Sequence, residues 1–132
     1  MSKIKILDCT LRDGGYVNNW DFGCKNIDKI ISNLVCANID YIECGFIKSD
    51  EYLKDKTFFN SFNQIGASTI LETKKTMFCL MINYGEVPIE CIPNSFSENF
   101  IIRVVFKKIK EWKQLSILKN LWIWGIKLHL IQ

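Results

Sequence analysis

The chain has 132 residues, 48% of them hydrophobic and 23% charged, and its 17 basic and 14 acidic side chains give a net charge of +3. This length suits one compact domain better than two, and the apolar content excludes an intrinsically disordered chain. No apolar run reaches the roughly 18 residues that a membrane-spanning helix needs. The segment from Met1 to Asp8 lacks the features of a signal peptide. We therefore expect a cytoplasmic protein that has no membrane partner.

The first predicted elements are a strand, a helix and a second strand. Lys3–Cys9 is a short run with Ile4, Ile6 and Leu7, and the turn-forming Asp13-Gly14-Gly15 follows soon after it. Asn26–Ala37 has the spacing of an amphipathic helix, with Asn38 as its stop, and Tyr41–Phe46 follows as the second strand. A strand, helix and strand joined by long connections favour a parallel arrangement over a hairpin.

A polar loop and an aromatic segment come next. Ser49–Lys56 is crowded with charged residues and predicts a loop. The phenylalanines that follow it have a spacing that allows one apolar face of a short helix. They are Phe58, Phe59 and Phe62.

The later predicted strands are continuous apolar runs, as expected of strands covered on both faces. Met77–Ile82 is the clearest, and Ile101–Phe106 is a weaker example. A weakly signalled helix lies between them, Lys107–Trp124 predicts a further helix, and Ile126–Ile131 a fifth strand. The alternation predicts an α/β protein with about five parallel strands and intervening helices.

The last quarter of the chain differs from the rest in charge. Residues 1–100 carry a net charge of −3 and residues 101–132 a net charge of +6, and the second part holds three of the four tryptophans. Lysines interleaved with tryptophans are one pattern of nucleic-acid or anionic-membrane binding. We favour the simpler interpretation, a lysine-rich helix whose tryptophans pack on the sheet, so no nucleic-acid partner is expected.

The six cysteines include no C-x-x-C pair, and His129 is the only histidine. This pattern favours reduced, mostly buried thiols, with a zinc site as the weaker alternative. His129 lies between two leucines and is interpreted as a structural residue.

The strongest candidate site is the stretch Asp8–Tyr16, where the first strand ends. Ligands of parallel α/β folds gather at the carboxyl ends of strands. Arg12 and Asp13 set a fixed cation beside a carboxylate, which suits binding of an anion or a hard divalent ion. Glu43 and Asn83 lie near the ends of later strands and face the same edge in this arrangement. An ordinary salt-bridged turn remains the alternative interpretation of Arg12 and Asp13.

These residues also carry a family resemblance. The stretch Ile6–Tyr16 resembles the opening strand of the metal-dependent lyases and aldolases related to 3-hydroxy-3-methylglutaryl-CoA lyase, whose signature is Thr-Leu-Arg-Asp-Gly. The superfamily includes 4-hydroxy-2-oxovalerate aldolase, isopropylmalate and homocitrate synthases, and pyruvate carboxyltransferase domains. Segments similar to its next three strands are Ile42–Phe46, Leu80–Gly85 and Ile102–Val104.

The resemblance implies part of a TIM (β/α)8 barrel that acts on a 2-oxo acid or an acyl thioester through an enolate. Asp13 would bind a divalent metal, Mn or Mg, and Arg12 would stabilise the enolate. Glu43 would be a second catalytic acid that orients water or substrate. Asn83 and Arg103, on the matching later strands, are the predicted substrate-binding residues.

Two departures from the family limit this expectation. The family completes its metal site with a His-x-His pair, which this sequence lacks, and its aldolases use a histidine soon after the Arg-Asp pair as a base, where this chain has Val17, Asn18 and Asn19. A TIM barrel also needs about 250 residues. We therefore expect a single incomplete barrel domain over residues 1–132, lyase-like in residues 1–106 and divergent in residues 107–132. The expected function is that of a truncated, weakly active or inactive lyase. The alternative is a non-catalytic half-barrel that dimerises or pairs with a partner chain.

Overall fold

The computed structural model describes residues 4–65, 75–88, 92 and 99–105. Five strands and two helices lie in these ranges, with 3-10 turns at Gly14–Val17 and Phe62–Gln64. The strands are β1 (Leu7–Asp8), β2 (Tyr41–Ile47), β3 (Phe58–Phe59), β4 (Met77–Asn83) and β5 (Phe100–Val105), and the helices are α1 (Thr10–Asp13) and α2 (Cys24–Cys36).

All the strands belong to one parallel sheet in the order β1-β2-β4-β5, with β3 also paired to β2. Tyr41 pairs with both β1 and β4, and Phe46 with both β3 and β4. The short strands β1 and β3 therefore lie end to end along the same edge of β2. The sheet confirms the predicted parallel α/β class, and it is not closed within the described strands.

Helix α2 connects β1 to β2 and buries Ile27 and Ile31 against the sheet, as its periodicity predicted. It begins two residues before the predicted start, at Cys24, whose backbone N–H donates to Asp55 Oδ1 at 2.9 Å. This cap comes from a distant loop and satisfies one of the donors that every helix N-terminus leaves free. At the other end Asn38 takes a left-handed φ of 57°, which confirms it as the helix stop.

The two faces of the sheet differ in chemistry. The face that packs against α2 is apolar and includes Ile42, Phe78, Leu80 and Ile102. The opposite face is also buried, but it carries the charged pair of Glu43 and Arg103 among residues such as Cys79, Met81 and Ile101. The hydrophobic core therefore lies between the sheet and α2, and the polar chemistry lies on the other side.

A β-bulge in β2 brings two side chains of that strand to the polar face. Glu43 pairs with Cys79, but Gly45 pairs with Leu80, so Cys44 is an extra residue in β2. Phe46 then pairs with Met81 and faces the same side as Glu43.

Gly45 is required at the bulge for two reasons. Its φ is +152°, and a Cβ there would lie 2.0 Å from the Thr57 carbonyl oxygen. That same oxygen accepts the Phe46 N–H at 3.1 Å. The glycine thus allows the backbone before β3 to approach β2 closely.

The prediction for the phenylalanine segment is wrong in part. Phe58 and Phe59 form β3, because β1 ends early and leaves Phe46 and Ile47 on the edge of β2 open to pairing. Only Phe62 belongs to a helical turn, a short 3-10 turn capped by Ser61.

Other predicted elements lie partly or wholly outside the described residues. Between β4 and β5, residues 84–88 form a turn and irregular chain rather than a helix, and most of the remainder is outside the described ranges. The predicted helix Lys107–Trp124, the strand Ile126–Ile131 and His129 also lie outside them.

The longest described helix is α2, with 13 residues. Within the described ranges, no helix combines the length and the hydropathy needed to cross a bilayer.

We predict that Gly45→Ala lowers the free energy of unfolding by about 3 kcal/mol, because the new Cβ overlaps the Thr57 carbonyl at a strained φ. Urea unfolding measures the change. Gly85→Ala is the matched control, since Gly85 has a positive φ of +82° but a Cβ added there would meet no atom within 4 Å, so a loss of about 1 kcal/mol is expected. Equal losses in the two variants contradict the close-approach argument.

Candidate active site

The site is built on α1, a single helical turn that begins directly after β1. The Asp8 carboxylate accepts the backbone N–H of Thr10 at 3.0 Å and its hydroxyl at 3.0 Å. The Cys9 carbonyl accepts the N–H groups of Arg12 and Asp13. The local sequence thus turns the chain sharply at the carboxyl end of β1 and directs Arg12 toward β2.

Glu43 is the centre of the site. Its side chain is fully buried at 0% exposure, and it accepts Arg12 Nε at 2.7 Å and Arg103 Nη1 at 2.5 Å, one on each carboxylate oxygen. Arg12 and Arg103 are the only arginines in the whole sequence. Both arginines of the chain therefore converge on one buried carboxylate.

The cluster is a row of alternating charges with buried Glu43 between the two arginines. Asp13 is 57% exposed and pairs with Arg12, which pairs with Glu43, which pairs with Arg103. Burial opposes the charge on Arg12, but its bonds to Glu43 and the nearby Asp13 outweigh burial and raise the pKa of Arg12. The ion pair of Arg12 and Asp13 is the salt bridge of the alternative interpretation, and it coexists with the Glu43 contact.

Two cysteines border the buried carboxylate. Burial raises the pKa of the Cys9 thiol, and the negative charge of Glu43 adds to this, against the smaller effect of Arg12. Cys79, the register partner of Glu43, is buried and has its pKa raised to about 12 by burial, with Glu43 adding and Arg103 opposing. Both thiols are neutral at physiological pH, so neither adds negative charge beside Glu43.

The described cysteines are all free thiols, although fewer are buried than predicted. Cys44 and Cys79 are buried, Cys9 and Cys24 are half-buried, and Cys36 is exposed because it ends α2 on the solvent side. Cys91 lies outside the described residues.

The described donors do not fit a complete divalent-metal site. Mg²⁺ and Mn²⁺ prefer oxygen ligands in an octahedral set, and carboxylates are their usual protein ligands. Both oxygens of Glu43 are bonded to arginines, and Asp13 is paired with Arg12. Among the described residues, no group of three or more His, Cys, Asp or Glu side chains is arranged to hold a metal.

Asn83, the other predicted substrate-binding residue, belongs to a separate cluster. Its Nδ2 donates to Glu86 Oε2 at 3.0 Å, and the same oxygen accepts Lys48 Nζ at 2.7 Å. This second group lies at the carboxyl ends of β2 and β4. Of the predicted site residues, the structure brings together Arg12, Asp13, Glu43 and Arg103, and Asn83 bonds elsewhere.

Sequence reasoning missed the residues that hold α1 in place. Trp20 Nε1 donates to the Arg12 carbonyl at 2.8 Å, and Thr57 Oγ1 donates to the Leu11 carbonyl at 2.9 Å. Gly15 makes room for Trp20, because a Cβ there would lie 2.0 Å from the indole ring. The sequence feature that accompanies this contact is Gly15, five residues before Trp20.

Comparison of the chain with known protein families, with characterised proteins and with solved structures found no match. The family resemblance therefore depends on the Arg12-Asp13 motif and on the strand segments similar to the family's.

We predict that Glu43→Gln lowers the free energy of unfolding by about 3 kcal/mol or more, because it removes the described countercharge of partly buried Arg103 and leaves Arg12 with only the exposed Asp13. Urea unfolding at neutral pH measures this. Lys5→Gln, which breaks the exposed pair with Asp40, is the control and is expected to cost far less. Similar losses in both variants contradict the central role of the Glu43 charge.

A second prediction concerns pH. The unfolded Cys79 thiol ionises near its ordinary pKa of 9.0, whereas the folded thiol stays protonated up to about 12. The folded state thus binds more protons in this range, and Cys79 contributes stability that is lost as the pH rises from about 9 to 12. Iodoacetamide at pH 9 is expected to alkylate Cys36 and to spare Cys79, as read by peptide mass spectrometry. Equal alkylation of the two in the folded protein contradicts this prediction.

Proposed function

We propose that the chain binds a 2-oxo acid or an acyl thioester at the Arg12 site and supports enolate chemistry of the lyase and aldolase superfamily that it resembles. The supporting observation is the convergence of Arg12 and Arg103 on buried Glu43, beside the carboxyl end of β1. In this proposal Arg12 stabilises the negative charge that develops on the enolate oxygen.

The arginines have donors left for such an oxygen. Each guanidinium has five N–H donors. Among the described contacts, Arg103 uses only Nη1, and Arg12 uses Nε and Nη1. Both side chains are slightly exposed, at 15% for Arg12 and 12% for Arg103. A bound anion can therefore reach donors whose direction the Glu43 carboxylate has already fixed.

The same contacts favour a low rate. Proton abstraction next to a carbonyl needs a base within hydrogen-bond reach. Both Glu43 oxygens are occupied by arginines, so Glu43 acts as the anchor of the two cations, and its predicted role as a catalytic acid stays a prediction. The Mn or Mg with Asp13 as a ligand also stays a prediction, and no step is derived through it.

We infer further that the parallel sheet is part of a TIM barrel. In that fold one face of the sheet packs on helices and the other faces the barrel interior. The contrast between the apolar α2 side and the side with Glu43, Arg103 and Met81 supports this inference.

A non-catalytic interaction protein is the second candidate function, and one observation favours it. Ile4, Ile6 and Leu7, in and before the edge strand β1, are 87%, 56% and 39% exposed. No partner strand lies on the outer edge of β1 within the described residues. Exposed apolar residues on a strand edge are typical of a surface that pairs with a second copy or a partner chain.

The catalytic proposal is tested by the loss of the pyruvate methyl proton signal in D2O, followed by NMR with and without Mn²⁺ or Mg²⁺. We expect exchange slightly above the buffer rate for the wild type. Because Arg12→Gln removes the cation that stabilises the enolate, we expect it to return the exchange rate to that of the buffer.

Lys5→Gln is the control, since it removes a cation at the amino ends of the strands and is expected to leave the rate unchanged. No exchange above buffer with either cation contradicts catalysis. Sedimentation velocity on the same samples separates the second candidate, because a monomer at all concentrations, with no partner chain bound, contradicts an interaction role.

A further inference from the structure

The Arg12 backbone carbonyl accepts a hydrogen bond from a residue outside α1. A one-turn helix is marginal in water, and its last carbonyl groups have no partner within the helix. The Trp20 indole N–H fills one such position by donating to the Arg12 carbonyl at 2.8 Å. The residue that carries the site's cation is thus fixed through its main chain by a side chain eight positions further on.

Trp20 is itself held in an unusual backbone conformation. Asn19 and Trp20 have φ values of 55° and 59°, and a left-handed φ is rare for a residue as bulky as tryptophan. The backbone N–H of Trp20 donates to the Gly15 carbonyl at 2.9 Å, and the Trp20 carbonyl accepts the Thr57 backbone N–H at 3.0 Å. A strained backbone conformation of this kind persists only where surrounding contacts hold it in place, and such residues cluster at functional sites.

The indole ring is anchored to the sheet on its other side. Its ring centroid lies 5.7 Å from that of Phe46 in β2 and 5.1 Å from that of Phe58 in β3. The Tyr16 ring packs against it edge-on at 4.7 Å, and Tyr16 is 67% exposed. Trp20 therefore links the Arg12 turn to two strands of the sheet.

We propose that Trp20 is a positioning residue for Arg12: its indole N–H fixes the Arg12 carbonyl and so sets the direction of the Arg12 guanidinium toward a bound anion. The proposal rests on the proposed function for the identity of that anion, an enolate or a carboxylate. The positioning itself concerns only the bonds of Trp20, Arg12 and Glu43.

Packing alone does not account for this arrangement. A tryptophan that only filled space could turn its N–H toward solvent, because the residue is half-buried. The N–H is instead directed at the main chain of Arg12, and Trp20 makes this bond with its backbone in a left-handed conformation. Thr57 fixes the neighbouring Leu11 carbonyl from the sheet side, so the two bonds together orient the turn.

The test reads the Arg12 side chain directly by NMR. Because the chain has two arginines, a ¹H–¹⁵N spectrum contains two Nε–H signals, which Arg12→Lys and Arg103→Lys assign. In Trp20→Phe, which removes the N–H, we expect hydrogen exchange of the Arg12 Nε–H to become about tenfold faster. The Arg103 signal is expected to keep its exchange rate within about twofold.

Phe58→Leu is the matched control, because it removes aromatic packing from the same ring and leaves the indole N–H in place. It is expected to lower the thermal midpoint without a selective change at Arg12. An unchanged Arg12 signal in Trp20→Phe overturns the proposal. Equal acceleration of both arginines in the two variants also overturns it, because a general loosening of the fold then explains the result.

A second variant covers the case in which Trp20→Phe does not fold. It carries 3-benzothienylalanine at position 20, in which sulfur replaces the indole N–H and the bicyclic shape is kept. Faster exchange at Arg12 in this folded chain supports the proposal, and unchanged exchange overturns it. Loss of the fold also overturns it, because the bond is then a requirement of the whole structure.

No substrate is used in this NMR experiment. A failure to exchange pyruvate protons therefore contradicts the proposed function and leaves the result on Trp20 and Arg12 unaffected.

Discussion

The desolvation of the Glu43 carboxylate is the constraint on which the site depends. An ionised carboxylate removed from water is costly unless countercharges and hydrogen bonds replace the lost hydration. Here the two arginines of the chain replace it, one from the turn after β1 and one from β5. The charge thus fixes the position of α1 relative to β5 across two intervening strands. Replacement of such a cluster by apolar residues is often neutral for stability, so its value lies in specifying an arrangement.

The rest of the site follows from the need to deliver Arg12 to that carboxylate. A turn of only four residues has little stability of its own, and it is held by bonds from Asp8, Trp20 and Thr57. These bonds come from three separate parts of the chain. The cation is therefore preorganised before any ligand arrives, which is the condition under which electrostatic stabilisation is most effective.

Sequence reasoning reached the elements that periodicity and local motifs determine. The stripe of α2, the apolar runs of β2 and β4, and the grouping of Arg12 with Glu43 at one edge of a parallel sheet were all predictable. It missed features that depend on contacts between distant segments. The Asp55 cap starts α2 earlier than its own residues indicate, and β3 exists because β1 ends after two residues. The indole bond to Arg12 was equally unpredictable, since Trp20 makes it from a backbone conformation that tryptophan rarely adopts.

The bulge at Cys44 changes the phase of the side-chain alternation along β2. Glu43 and Phe46 are three positions apart, yet they face the same side, whereas regular alternation would put them on opposite sides. Without the bulge, a spacing of three residues would put one of these side chains on the face covered by α2. The extra residue therefore keeps both side chains on the polar face. A sequence search that assumes strict alternation along β2 would assign either Glu43 or Phe46 to the wrong face of the sheet. A search that allows one change of phase would assign both to the polar face.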